Sequence, residues 1–96
     1  MNKPAKRDNL PYLRTYLNKH RVNAKLSGDD LSLMLGVSKS YYFALEHGTR
    51  GHRLSVGLLN ELSEVLNVDV HLLLDQELNY ITERKKYKDY KRKKEK

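Results

Sequence analysis

The 96-residue chain has no cysteine, no tryptophan, a single phenylalanine and two prolines. Without cysteine there are no disulfides, no thiol nucleophile and no cysteine-based zinc site. No apolar run approaches the roughly 18–20 residues that cross a bilayer. The signatures GxxxxGK[ST], GxGxxG and HExxH are missing, and no nucleophile stands beside a legible base, so neither an enzyme nor a cofactor is expected. His47 and His52 straddle Gly48 and a loop without the further ligands that zinc requires, so no metal is expected. The N-terminal MNKPAKRDNL carries basic residues with no apolar stretch behind them, which does not read as a secretory signal and points to the cytoplasm.

What the chain has is positive charge, unevenly placed. Nineteen Lys and Arg against twelve Asp and Glu give +7, a balance that favours a polyanionic partner, nucleic acid or an acidic membrane surface. Residues 1–25 carry seven Lys/Arg against Asp8, and residues 83–96 carry nine against Glu83, Asp89 and Glu95. The stretch between them holds eight acids and only Lys39, Arg50 and Arg53, so its basic residues form an island between 39 and 53. Hydrophobic residues at 39% suffice for one small core.

The periodicity predicts five helices and no strand. Leu10, Leu13 and Leu17 place a first helix from about 10 to about 21, with Pro11 in its first turn and Asp8 or Asn9 as cap. Ser27 and Asp30 make a capping-box variant that opens a short second helix over Leu31, Met34 and Leu35, which stops at Gly36. Ser38 restarts the chain as a third helix, about 38–47, with Tyr42 and Leu45 inward and Gly48 at its end. Two helices meeting through Leu35-Gly36-Val37-Ser38 are the grammar of a helix-turn-helix: Gly36 permits the reversal, Val37 plugs inward and Ser38 caps the third helix. A basic loop, TRGHRL, leads to a fourth helix capped by Ser55 with a Leu58, Leu59, Leu62, Val65, Leu66 stripe. Asn67 ends it, and Asp69 caps a short fifth helix over Val70, Leu73 and Leu74 that reaches at most Leu78 or Ile81. The expected organisation is a basic arm (1–9), a helical domain (10–81) and a Lys/Tyr-rich tail (82–96).

The string LSGDDLSLMLGVSKSYYFALEHGTR, with LLNELSEVLNVDVHLLL after the loop, resembles the lambda-repressor/Cro-type (XRE) helix-turn-helix family. Leu26, Ser27, Leu31, Leu35, Gly36, Val37, Ser38, Leu45, Glu46, Gly48 and Arg50 stand where the family pattern places such residues, over about half the chain. Departures are Gly28 for the usual Gln, Ser32 for a small Ala, Tyr42 for a buried aliphatic, and Leu33 and Met34 at positions normally polar. The resemblance implies an all-α, five-helix DNA-binding domain whose third helix enters the major groove. It also implies a salt bridge from Glu46 to an arginine of the first helix, for which Arg14 is the expected partner.

On that footing the reading positions are Ser38, Lys39, Ser40, Phe43 and Ala44: Lys39 to guanine, Ser40 to several bases, Phe43 and Ala44 to a thymine methyl. Tyr41 is placed for a phosphate; Arg50, His52 and Arg53 for the backbone or minor groove; Ser27 and the Gly28 amide for further phosphates. The expected function is a sequence-specific transcriptional regulator of double-stranded DNA, a repressor acting as a homodimer. The rival is an interaction module on the same fold, such as an antitoxin, presenting Leu33, Met34, Tyr41 and Phe43 to a protein partner. A nonspecific nucleic-acid binder leans only on the basic termini. Tyr80, Tyr87 and Tyr90 fall on one helical face, which could pack on a partner chain, but the tail reads rather as a frayed basic segment adding nonspecific affinity. Lys-, Asn- and Tyr-rich usage in so small a unit suits a phage or mobile element.

Overall fold

Short polar side chains decide where the helices begin. The protein, in a computed structural model, is described for residues 13–49 and 54–95, with side chains to Tyr87. The helices are α1 (Thr15–Asn23), α2 (Gly28–Leu35), α3 (Lys39–His47), α4 (Val56–Leu66) and α5 (Val70–Glu95), and no strand occurs among the described residues. Ser27 and Asp30 close a reciprocal capping box on α2, at 3.0 and 3.1 Å. Ser38 Oγ accepts from the Tyr41 amide and Ser55 Oγ from the Leu58 amide, each at 3.0 Å. Asp69 Oδ1 accepts from the His71 amide at 2.9 Å. Chain reversals fall on left-handed residues: Gly36 (φ 74°), Gly48 (φ 79°) and Asn67 (φ 57°). At Gly36 an added Cβ would meet nothing within 4 Å, so the dihedral alone asks for glycine there.

The caps of α2 to α5 thus lie where the sequence predicts them, but both outer helices differ in extent. The first helix starts at Thr15 rather than about residue 10, and it runs to Asn23 rather than about 21. Leu10 and Pro11 lie outside the described residues, as do the expected caps Asp8 and Asn9. Arg14 causes the late start: its amide donates to Glu46 O on α3 at 2.8 Å, drawing the chain across α3 before α1 begins. Its carbonyl then accepts from Leu17 and Asn18. The last helix extends well past Leu78 and Ile81, through the segment read as a frayed tail, to Glu95. Residues 75–95 contain no glycine or proline to stop it.

The core gathers Leu17, Leu31, Tyr42, Leu59, Leu62, Leu66 and Leu73, one or more from every helix, with Leu26, Leu35, Val37, Leu58 and Val65 packed around them. Ser32, at the small position between α2 and α3, is buried with its hydroxyl donating to Asp29 O at 2.8 Å. Tyr42 meets the demand of a buried phenol by donating to Glu46 Oε1 at 2.6 Å. Among the described residues no buried side-chain nitrogen or oxygen lacks a partner.

Two polar networks cross this core, and they divide the arginines of the N-terminal segment differently from the sequence expectation. The Arg14 side chain pairs with Glu77 rather than with the Glu46 carboxylate. It is fully buried and forks onto Glu77 of α5, with Nε and Nη2 each 2.9 Å from a carboxylate oxygen. Its Nη1 donates to Leu45 O at 2.6 Å, and its guanidinium lies 4.4 Å above the Tyr80 ring. Tyr16 donates its hydroxyl to the same carboxylate at 2.6 Å. Arg21 takes the role expected of Arg14, with Nε 2.9 Å from Glu46 Oε1 and Nη2 3.1 Å from Oε2. The reason is register: Arg21 lies one turn beyond Asn18, which also bonds Glu46 (2.8 Å), so both face α3. Arg14 precedes the helix and is turned toward α5. Tyr80 accordingly packs within its own chain, buried between Arg14 and Arg84, and is not available to a partner.

Removing one member of a buried pair leaves an uncompensated charge. Glu77→Ala is expected to cost about 3–5 kcal/mol in urea unfolding, and the apolar double replacement Arg14→Met/Glu77→Leu distinctly less. A double variant as unstable as the single would show that the pair itself supplies net stability.

Candidate nucleic-acid interface

The candidate surface is built on α3 and the turn before it. Ser38 spends its side chain on the cap, which leaves the first amides of α3, those of Lys39 and Ser40, without an intrahelical partner. These point out from the positive end of the helix dipole. Lys39, Ser40 and Phe43 are exposed and Ala44 is half-buried. Ser40, Phe43 and Ala44 share one shallow groove whose remaining walls are Leu13, His47 and Thr49. The structure therefore brings together three of the expected reading residues and adds three that sequence reasoning did not select. His47 follows Ser40 and Ala44 at helical spacing and could have been found that way. Leu13 and Thr49 join only through the tertiary approach of the segment before α1 to the end of α3.

The ring of His47 is fixed in this groove: its Nδ1–H donates to Phe43 O at 2.8 Å. A carbonyl only accepts, so Nδ1 carries the proton and Nε2 is the atom turned to any ligand. Lys39 Nζ lies 3.3 Å from Asp29 Oδ2 in a solvent-exposed pair. Such pairs contribute about 0–1 kcal/mol, so the ammonium is readily released to a stronger anion. Tyr41 is half-buried beside these residues.

Ser27 and Gly28, expected at phosphates, stand in different surroundings. Ser27 is exposed and engaged in the capping box. Gly28 is buried beneath the Phe43 ring: a Cβ there would sit 2.9 Å from Phe43 Cζ. The glycine thus makes room for the phenylalanine, so the two residues form one packing arrangement. Asp29 and Asp30 occupy the same first turn of α2. The Ser27 backbone N–H and hydroxyl hold the Asp30 carboxyl below its ordinary range, so this helix end already carries negative charge. Arg50, His52 and Arg53 lie outside the described residues. Leu33 and Met34 are exposed on α2, at 79% and 55%.

Glu46 ties α3 to α1 through Asn18 and Arg21. Burial works against its ionisation, but hydrogen bonds from Arg21, Tyr42 and Asn18 outweigh it and hold the carboxyl below its ordinary value. Burial, together with the same carboxylate, pushes the Tyr42 phenol far above its usual range. A carboxyl depressed on folding adds stability that is present above about pH 4.3 and is lost as pH falls through the lower folded value. The stability gap between the wild type and Glu46→Gln is therefore expected to narrow on acidification from about pH 5 to pH 3, read by thermal unfolding. A gap constant with pH would exclude this linkage.

The contact over Gly28 makes a second prediction. Gly28→Ala meets only the far end of a side chain, so stability is expected to change by less than about 1 kcal/mol. The Phe43 ring must shift, visible in its NMR resonances. A loss of several kcal/mol would mean that the ring is locked in place.

A helix-turn-helix family model matches residues 17–73, from Leu17 in α1 to Leu73 in α5. Comparison with curated proteins and with solved structures gave no match.

Proposed function

The chain belongs to the lambda-repressor-like helix-turn-helix family of DNA-binding regulators, and from that premise we propose that it is a sequence-specific repressor acting in the cytoplasm on double-stranded DNA. The observation that carries the reading is the exposed start of α3, where Lys39 and Ser40 present free amides and donor side chains beside the groove of Phe43, Ala44 and His47. A major groove admits a helix in this way, and such side chains discriminate bases: Lys39 at guanine O6 and N7, Ser40 at several bases, Phe43 and Ala44 at a thymine methyl. Ser38 would stand with them among the reading positions, and Tyr41 would flank them at a phosphate. Ser27, Gly28, Arg50, His52 and Arg53 complete the proposed backbone contacts, with affinity and salt dependence rather than sequence choice as their part. A homodimer would place two copies of α3 about 34–36 Å apart on an inverted repeat.

The second reading, a protein-interaction module, is favoured by one observation, the exposure of Leu33 and Met34 side by side on α2.

In vitro selection from random duplex DNA at physiological salt tests the first reading. The wild type is expected to enrich a short inverted repeat. Lys39→Ala should relax preference at one base pair by about 1–3 kcal/mol, whereas Arg53→Ala should weaken all sequences alike. Equal losses on enriched and random DNA for both variants would count against α3 as the reader. No binding to any duplex would move the function to the Leu33/Met34 face.

A further inference from the structure

The reading face leaves α5 without a role beyond the core, yet half of this helix is unlike the rest of the domain. Residues 54–82 contain Glu61, Glu64, Asp69, Asp75 and Glu77 and no Lys or Arg. From Arg84 onward the sign reverses, with nine Lys/Arg in residues 83–96 against three acids. The reversal coincides with a structural joint. Arg84 Nη1 donates to Gly48 O at 2.9 Å and to the Tyr80 hydroxyl at 2.7 Å, beside the buried Tyr80 ring. Gly48 caps the end of α3, and Thr49, the next residue, forms one end of the groove. The cationic half of α5 thus begins at a bond to the C-cap of α3, next to the groove residue Thr49, and it stays helical through Glu95. From Arg84 that is about 17 Å of helix.

We propose that α5 beyond Arg84 is an oriented cationic arm that lies along DNA phosphates outside the stretch read by α3, with its direction set by Arg84 on the Gly48 carbonyl. The inference rests on the DNA-binding reading and adds to it a second contact surface. Phosphate is the partner that fits. Closely spaced lysines on one helix repel one another, and a regular row of anions relieves that repulsion where solvent only screens it. The placement of the joint at Gly48, next to the groove residue Thr49 and two places before Arg50 in the sequence, favours DNA over the acidic face of a second copy. At 3.4 Å of duplex axis per phosphate of one strand, the arm matches the axial rise of about five phosphates. A flexible tail of equal charge would also raise affinity, but it would protect no fixed flank.

The experiment uses the full chain on the enriched duplex, or on random duplex if none is enriched, with hydroxyl-radical footprinting and a salt titration. Replacing Lys91, Arg92, Lys93 and Lys94 by Gln should lower the slope of log K against log salt by about 2–4 while leaving the preferred sequence unchanged. The flanking protection should disappear. Lys86→Pro breaks the helix past the Arg84 joint, outside the core, and should also abolish flank protection; Lys86→Gln, equal in charge, should keep it. Flank protection that survives Lys86→Pro would overturn the oriented arm in favour of a flexible tail. An unchanged salt slope in the four-fold variant, with a lower mass by light scattering, would overturn it in favour of a protein contact. On random duplex the salt slope alone decides: a drop of that size supports the arm even where sequence-specific reading fails, and an unchanged slope overturns it. Failure of the wild type to bind any duplex would overturn both the DNA reading and the arm.

Discussion

Arg14 is the point on which the arrangement of α1, α3 and α5 depends. Its backbone amide holds Glu46 O, its Nη1 holds Leu45 O, its fork holds Glu77, and its face covers Tyr80. One residue therefore satisfies two carbonyls at the end of α3, where a helix leaves its last acceptors without intrahelical donors. It also fixes α5 against that same end. Burial alone would weaken the hold of Arg14 on its proton, but the Glu77 hydrogen bonds and charge prevail and keep the guanidinium ionised. A buried ion pair of this kind contributes little to stability relative to an apolar replacement. What it contributes here is geometry, because a planar fork with a further donor to spare can join three helices at defined angles, whereas a cluster of leucines cannot.

Glu46 does the corresponding work one turn away. Arg21, Asn18 and Tyr42 converge on it, and Arg21 continues to Leu26 O at 3.0 Å, so α1, α3 and the segment before α2 share a single carboxylate. The position of α3 is thereby determined from behind by two networks, at Arg14 and at Glu46, which leaves its front free of structural duty. Only the Phe43 ring crosses from front to back, by lying over Gly28. A residue on the reading face is in this way coupled to the start of α2, and a change at either position is felt at both.

The parts of the fold legible in the sequence were those made by bonds between residues a few places apart. Ser27, Ser38, Ser55, Asp69, Gly36, Gly48 and Asn67 each act locally, and each sits where its chemistry predicts. The partner of Glu46 was not legible, because the choice between Arg14 and Arg21 depends on where α1 begins. That start is determined by a long-range bond from Arg14 to α3. The length of α5 was obscured for a different reason: past Ile81 the apolar periodicity gives way to charge, and a helix held by backbone bonds alone has no stripe to read. In the groove, Ser40, Phe43 and Ala44 came from their place in the helix-turn-helix resemblance, while Leu13 and Thr49 required the tertiary structure.

Charge and sequence reading are separated along this chain. Between residues 26 and 49 the single cation Lys39 stands against Asp29, Asp30 and Glu46, so the helix-turn-helix unit is itself net negative. Lys39 rests on Asp29, and any anion that engages it must first displace a carboxylate. For so exposed a pair that competition is weak, about 0–1 kcal/mol, and it is the same for every DNA sequence. On the proposed reading, binding strength then comes from Arg50 and Arg53 and from the basic segments before and after the domain. Because Arg84 ties α5 to the Gly48 carbonyl at the end of α3, the cations beyond it would be held at a defined place relative to the proposed reading residues. On that proposal a helix-turn-helix unit poor in its own charge would gain discrimination, since a misplaced α3 would find little to hold it to the wrong site.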